Sequence, residues 1–242
     1  MRAILILLFF FVFNFQSFNQ ELRVLKPKIG EEKIFLAKDQ KDWERAWQLK
    51  YADDRFELEY DTLSPKDKEL FNALEDFTGP SSGIYENWNC VAYPDSIIAS
   101  SEMKSSKSIN YFAKNVNDAN LLTAWVPSNE KSSISERISF YFKAFAPRVH
   151  TIIVFNGYLK NIDLWKQNSR VKQFRMYVNE KPYAILDLED TTAPQSFKFE
   201  PLQSKTKDKP LIITLEILDI YKGDKSNDTV ITEINFDGMD VF

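Results

Sequence analysis

The sequence is poor in the residues that build reactive centres. It has one Cys, one His and six Gly in 242 residues. A single thiol makes neither an internal disulfide nor a thiolate zinc site. A single His excludes a histidine-rich metal site and leaves His150 as the sole candidate base for a Ser-His-Asp arrangement. It opens an apolar run and reads as a strand-end residue. Cys90, in Asn87-Trp88-Asn89-Cys90, has no helix start or Gly-rich turn to activate it and reads as a passive thiol. The scattered Gly form no P-loop and no G-x-G-x-x-G turn. Ser101-Glu102-Met103-Lys104 matches S-x-x-K by letter only, in a Ser/Lys-rich loop. The 35 acidic residues present no assignable glycosidase pair. Positive charge is not in excess either. Lys and Arg total 31, the net charge is −4, and a nucleic-acid partner would need the opposite balance.

A membrane-spanning run is also lacking. Ala3 to Phe13 is unbroken and apolar, follows Arg2, and gives way to Asn14, Phe15, Gln16 and Ser17. It is shorter than the roughly 20 residues a spanning helix needs, and it has the layout of a secretory signal. The expectation is a signal peptide over 1–20, cleaved between Phe15 and Gln20, and an exported chain with no span after cleavage. No Cys follows to carry a lipid.

Aromatics are abundant, at 14% with 20 Phe, enough for a well-filled core. Residues 21–92 read as an N-terminal extension with two short helices. Trp43, Ala46 and Trp47 share one face over 39–50, and Ser64-Pro65-x-Asp67 starts a helix striped by Leu70, Phe71, Leu74 and Phe77. The Trp pair is expected to pack this extension onto the main domain. Thr78-Gly79-Pro80 and the Ser/Gly residues after it end the second helix. From about 93 onward the pattern is strand-like. Ile138–Phe142, His150–Phe155, Phe174–Val178, Tyr183–Leu188, Ser196–Phe199, Leu211–Leu218 and Val230–Phe236 are short β-branched and aromatic runs between polar turns. With no long amphipathic helix among them, they predict an all-β antiparallel sandwich or barrel.

Two stretches have chemistry of their own. Asp118, Asn120 and Thr123 place short oxygen side chains in one loop, a donor type that suits a hard cation but also suits an ordinary Asx turn. Asn156-Gly157 after an apolar strand is a turn signal. Tyr158 can lay its ring on the core with a wet hydroxyl, and Arg170 has the fork to bridge loops. Trp165 and Lys160 fall in a polar loop, where an aromatic ring beside polar donors suits a sugar. Trp125 is expected beneath its loop.

Residues 96–242 resemble the discoidin-like (coagulation-factor type C, galactose-binding-like) domains. They are most similar to the branch of the NAD glycohydrolase translocation domain, also described as an NADase-type glycan-binding domain. The resemblance rests on Ile98-Ala99-Ser100-Ser101, on Tyr111 through Asn120-Leu121-Leu122-Thr123-Ala124-Trp125, and on Ile152–Lys160 with its Asn156-Gly157-Tyr158. It extends through Leu164-Trp165-x-x-Asn168-x-Arg170-Val171-Lys172 and Leu215–Phe236 with Asp228-Thr229-x-x-x-Glu233-Ile234. It implies an eight-stranded jelly-roll sandwich over 93–242. It also implies a structural calcium ion held by Asp118, Asn120, Thr123 and Glu233, and ligand contacts from Tyr158, Lys160, Trp165, Asn168 and Arg170. One departure is Ala119 where the loop pattern has Gly; a positive φ there would strain an alanine. The function implied is that of a non-catalytic module binding a glycan or cell-surface glycoconjugate; the signal segment adds export in a bacterial envelope, and the charge balance suggests a monomer. An envelope protein as partner is the alternative. The catalytic activity in the family's name belongs to a separate domain of those toxins, and residues 21–92 are too few to hold one.

Overall fold

The computed structural model describes residues 22–30, 41–42, 45, 48–49, 60–73, 92–106, 109–128, 132–146, 148–204, 206 and 208–239. Among them, ten strands form two sheets. The strands are β1 (Arg23–Leu25), β2 (Lys28–Ile29), β3 (Ser96–Ala99), β4 (Arg137–Phe142), β5 (Arg148–Asn156), β6 (Arg170–Val178), β7 (Lys181–Asp187), β8 (Gln195–Leu202), β9 (Leu211–Tyr221) and β10 (Ile231–Met239). One sheet has the order β1-β7-β6-β9-β4-β3 and the other β10-β5-β8-β2. Strands β3 to β10 are the eight expected of the sandwich, and they pair with one another in antiparallel fashion throughout.

The alternation in the sequence sets which face is inward. In β4, Ile138, Phe140 and Phe142 are buried while Arg137, Ser139 and Tyr141 point out. Phe140, Phe142 and Phe236 meet edge to face across the gap, at 4.7 and 5.0 Å between centroids. Met176, Phe174, Phe197, Leu215 and Ile217 complete the same core. Strand β5 lacks alternation because both its faces are covered. Ile152 and Val154 enter the main core, while Ile153 and Phe155 pack outward with Leu121 and Leu159.

Residues 23–29 join the sandwich. Strand β1 runs parallel to β7, with Val24 opposite Ile185, and β2 runs antiparallel to β8, with Lys28 opposite Ser196. The chain thus crosses from one sheet to the other along one side and covers two strand edges that would otherwise be bare. Lys26 pairs with Asp187 at the crossing, and the Arg23 guanidinium lies 4.4 Å above the Tyr183 ring. Strands of three and two residues are too short to show a period, so this part of the extension was not legible as sheet.

The helix expected after Ser64 is present as α1 (Pro65–Ala73), with Ser64 Oγ accepting from the Asp67 amide at 3.1 Å. Tyr60 stacks edge to face on Phe71. Trp43, Ala46, Trp47, Leu74, Phe77, Cys90 and the signal segment lie outside the described residues. Among the described residues, no helix is long and apolar enough to cross a membrane.

Candidate functional site

One end of the sandwich gathers nearly every residue singled out from the sequence. There β5 ends, β6 and β10 begin, and the Asp118 loop folds over them. Asn156 closes β5 by mimicking a strand: its amide donates to the Val171 carbonyl at 2.7 Å and accepts from the Val171 amide at 3.0 Å. Gly157 turns the chain at φ +84°. Its carbonyl accepts from the Thr232 hydroxyl at 2.6 Å, and that hydroxyl accepts from the Leu159 amide at 3.0 Å. Tyr158 is buried against Ala124, Val126 and Val230, its hydroxyl 3.5 Å from the Leu122 carbonyl. Burial pushes its phenol pKa upward.

Next comes the short helix α2 (Ile162–Gln167), capped by Asn161 Oδ1, which accepts from the Leu164 amide. Trp165 is half-buried. Its indole N–H donates to the Asn156 carbonyl at 3.0 Å, and its ring packs on the Leu121–Ile153–Phe155–Leu159 cluster. The Arg170 guanidinium sits 4.4 Å from the ring centroid. Asn168 donates to the Leu164 carbonyl at 2.8 Å. Arg170 is 6% exposed. It grips Asp190 with Nε and Nη2, at 2.8 and 3.0 Å, and Nη1 donates to the carbonyls of Asn168 and Trp165. So Trp165, Asn168 and Arg170 use their polar groups to build this end, and Tyr158 turns its ring into it. Lys160, half-buried on the turn, has no hydrogen-bond or ion-pair partner among the described residues. Asp190, the partner of Arg170, carried no signal in the sequence, because it lies twenty residues on in an unpatterned turn.

The Asp118 loop is held from within. Asp118 Oδ1 accepts from the Asn120 amide at 3.0 Å, and the Thr123 hydroxyl donates to the same carboxylate at 2.8 and 3.0 Å. Asn120 Oδ1 accepts from the Leu122 amide. The Asn120 amide also reaches Glu233 Oε1 at 3.0 Å, which places the β10 carboxyl beside the loop. Asn115 and Asn117 pin the preceding 3-10 turn (Ala113–Asn117) to the Ala124 and Ile234 carbonyls. Trp125 is fully buried with its N–H on the Ser101 carbonyl. Ala119 has φ +57°, the conformation that Gly adopts without cost. Ala119→Gly is therefore expected to stabilise the fold by about 0.5–1 kcal/mol, read as a rise in melting temperature.

Glu233 is nearly inaccessible, and its Oε2 has no hydrogen-bond partner. Burial drives its carboxyl well above the usual glutamate range, and the neighbouring Asp118 charge adds to this. Desolvation also raises Asp118. Glu233 is buried while Asp118 beside it is exposed to solvent, so it is the buried carboxyl that needs a proton or a cation beside it. The donors are all oxygens, and one buried lone pair is unused, so this set fits a hard cation. Among the described residues, no three acidic, His or Cys side chains are grouped so as to hold a metal ion by themselves; carbonyls and water would have to complete the shell.

The other polar candidates have plain roles. Ser101 Oγ donates to Glu136 at 2.7 Å and accepts from the Ser128 amide, so the S-x-x-K letters serve to hold a loop. His150 Nδ1 lies 2.7 Å from Thr151 Oγ1 at the start of β5.

Comparison with known proteins adds the following. The family model of the NAD glycohydrolase translocation F5/8 type C domain matches residues 88–237. No curated protein matches. Among solved structures, the CBM32-1 and CBM32-2 domains of Clostridium perfringens ZmpB align at 16% identity and a TM-score of 0.45, over 82% of this chain and 57% of that one. The same domains in complex with GalNAc align at 15% and 0.44, over 69% and 37%. The C. perfringens CpGH89CBM32-4 domain, in complex with GlcNAc-α-1,4-galactose, aligns at 14% and 0.40, over 64% and 98%. The chain thus spans 57% and 37% of the two ZmpB domain-pair structures, and 14% of the ZmpB structure that also holds the M60 catalytic domain.

Proposed function

The chain belongs to the NAD glycohydrolase translocation F5/8 type C domain family, and from that premise we propose that it is an exported, non-catalytic module that binds a glycan or glycoconjugate at the Asp118–Trp165 end of its sandwich. What supports this reading is one side chain in its setting. Among the described residues, Lys160 is an unpartnered cation on a turn whose neighbours are latched: Tyr158 by burial, Trp165 by its indole N–H, Asn168 and Arg170 by their amide and guanidinium. A donor held on rigid surroundings is what hydroxyl recognition needs, because little ordering remains to oppose binding. The half-buried edge of the Trp165 ring supplies an apolar face beside it. The Asp118–Glu233 pair holds a calcium ion that stiffens the loop above this turn. The module acts as a monomer.

A glycan-array screen of the full chain tests this, with Lys160→Ala alongside. Selective binding that falls at least about tenfold in the variant, at unchanged melting temperature, is the expected result. Binding by the variant equal to that of the parent would remove the loop-end site, and an empty array for the folded parent would turn attention to an envelope protein as ligand.

A further inference from the structure

A second surface differs in kind from the loop end: the outer face of the six-stranded sheet. Arg137 on β4, Glu216 on β9 and Arg175 on β6 stand side by side in register. Their neighbours along the strands enter the core, so these three point outward. Both guanidiniums lean on one carboxylate oxygen, Glu216 Oε2, at 3.3 and 3.8 Å, and the Tyr177 hydroxyl donates to the same atom. The two cations remain open, with side chains 51% and 38% exposed, while the glutamate beneath is 8% exposed.

Their donors are largely unused. Neither arginine–glutamate contact has hydrogen-bond geometry. Among the described residues, the side-chain hydrogen bond found for this pair is Arg175 Nη1 to Tyr177 Oη, at 3.4 Å. Among the described residues, the buried Arg175 Nε has no acceptor. Arg170, in the same fold, has its whole fork engaged. Two planar forks sharing one acid carry a net positive charge and bidentate donors suited to a carboxylate or sulfate. Of the acids around this face, Asp187 is paired with Lys26 and Asp219 with Lys172, while Glu136, next to Arg137, is turned onto the Ser100 and Ser101 hydroxyls.

Beside this row lies a second, Ser139–Thr214–Tyr177, with the two hydroxyls 2.8 Å apart and the Tyr177 ring 5.1 Å from the Arg137 guanidinium. Charged forks, hydroxyls and a phenol ring thus share one flat face. We propose that this face binds an acidic polysaccharide, its carboxylates or sulfates on Arg137 and Arg175 and its sugar hydroxyls along Ser139, Thr214 and Tyr177. An acidic peptide fits less well. The backbone here is fully paired within the sheet, so a peptide finds neither a free edge nor a groove, whereas a sugar chain needs only side-chain donors and a ring. The site is separate from the loop end.

The test is titration of the full chain with polygalacturonate, neutral dextran and polyglutamate, at about 50 mM salt to limit screening. Polygalacturonate is expected to bind and dextran not. Arg137→Gln with Arg175→Gln is expected to weaken binding at least about tenfold at an unchanged melting temperature. Glu216→Gln, which frees both forks while keeping an acceptor for Tyr177, is expected to tighten it several-fold, and it decides the matter if the double variant fails to fold. Absence of polygalacturonate binding, or full binding by the double variant, would overturn the proposal. Equal binding of polyglutamate would overturn the assignment to glycans. Binding at the loop end would survive the double arginine variant, so loss of binding in that variant separates this face from the loop-end site.

Discussion

Gly157→Ala is expected to lower the melting temperature by about 10 °C or more, a cost of about 3–5 kcal/mol in a domain of this size. Two effects combine. The backbone at 157 sits at φ +84°, where an alanine is strained. A Cβ there would also lie 2.5 and 2.6 Å from the Trp165 indole and 2.7 Å from Arg170 Cγ. Neither neighbour can step aside cheaply. The indole is tied to the Asn156 carbonyl, and Arg170 is gripped at both ends of its fork. Displacing them uncouples α2 from the sheet, so any loop-end ligand should be lost along with stability. Thermal unfolding followed by near-ultraviolet dichroism, which reports on the Trp165 environment, checks both. A drop of less than about 2 °C would mean that this turn is far more pliant than its contacts indicate.

The Glu233 carboxyl governs the second large effect. Its folded pKa is raised, so the stability linked to its proton is fully present below the unfolded value, near 4.5, and is lost as pH rises from there toward the folded value. In chelator, stability is expected to fall by about 1.4 kcal/mol per pH unit over that window, because the unfolded chain releases a proton the folded chain keeps. Asp118, also raised, adds in the same direction. Calcium should reverse the loss near neutral pH by replacing the proton. Glu233→Gln should flatten the profile, raise stability in chelator and abolish the calcium response. Melting curves from pH 4.5 to 7.5, with calcium and with chelator, read all three. No calcium response in the parent would sink the cation assignment, and a flat profile in chelator would sink the account of the buried Glu233 carboxyl.

Much of the fold was legible because its strands are long enough to show a period. The alternation in Ile138–Phe142 and the continuous run of His150–Phe155 both found their place, the second because β5 is covered on two faces. The Ala119 expectation was legible for a different reason. A loop geometry that wants Gly keeps wanting it when the residue changes, and φ +57° is the outcome. Side-chain roles were harder. The sequence laid the Tyr158 ring on the core and made Arg170 a bridge between loops, as found, but it left Trp165 in a polar loop free to face solvent. Arg170 grips Asp190 and Tyr158 packs on Val230, both distant along the chain, whereas Trp165 and Asn168 bond to the nearby Asn156 and Leu164 carbonyls. The Arg137–Glu216–Arg175 row was invisible, since cross-strand neighbours exist only once register is set.

The strap formed by β1 and β2 has a consequence for the order of events in folding. Lys26 and Asp187 are 161 residues apart. On a chain made from its N-terminus, residues 23–29 emerge first and find their partners only after β7 and β8 exist. Closing so long a loop is slow, and three- and two-residue strands offer little to hold it early. The strap is therefore the last part of the sandwich to close. Until it does, the edges of β7 and β8 stay open to any other extended segment.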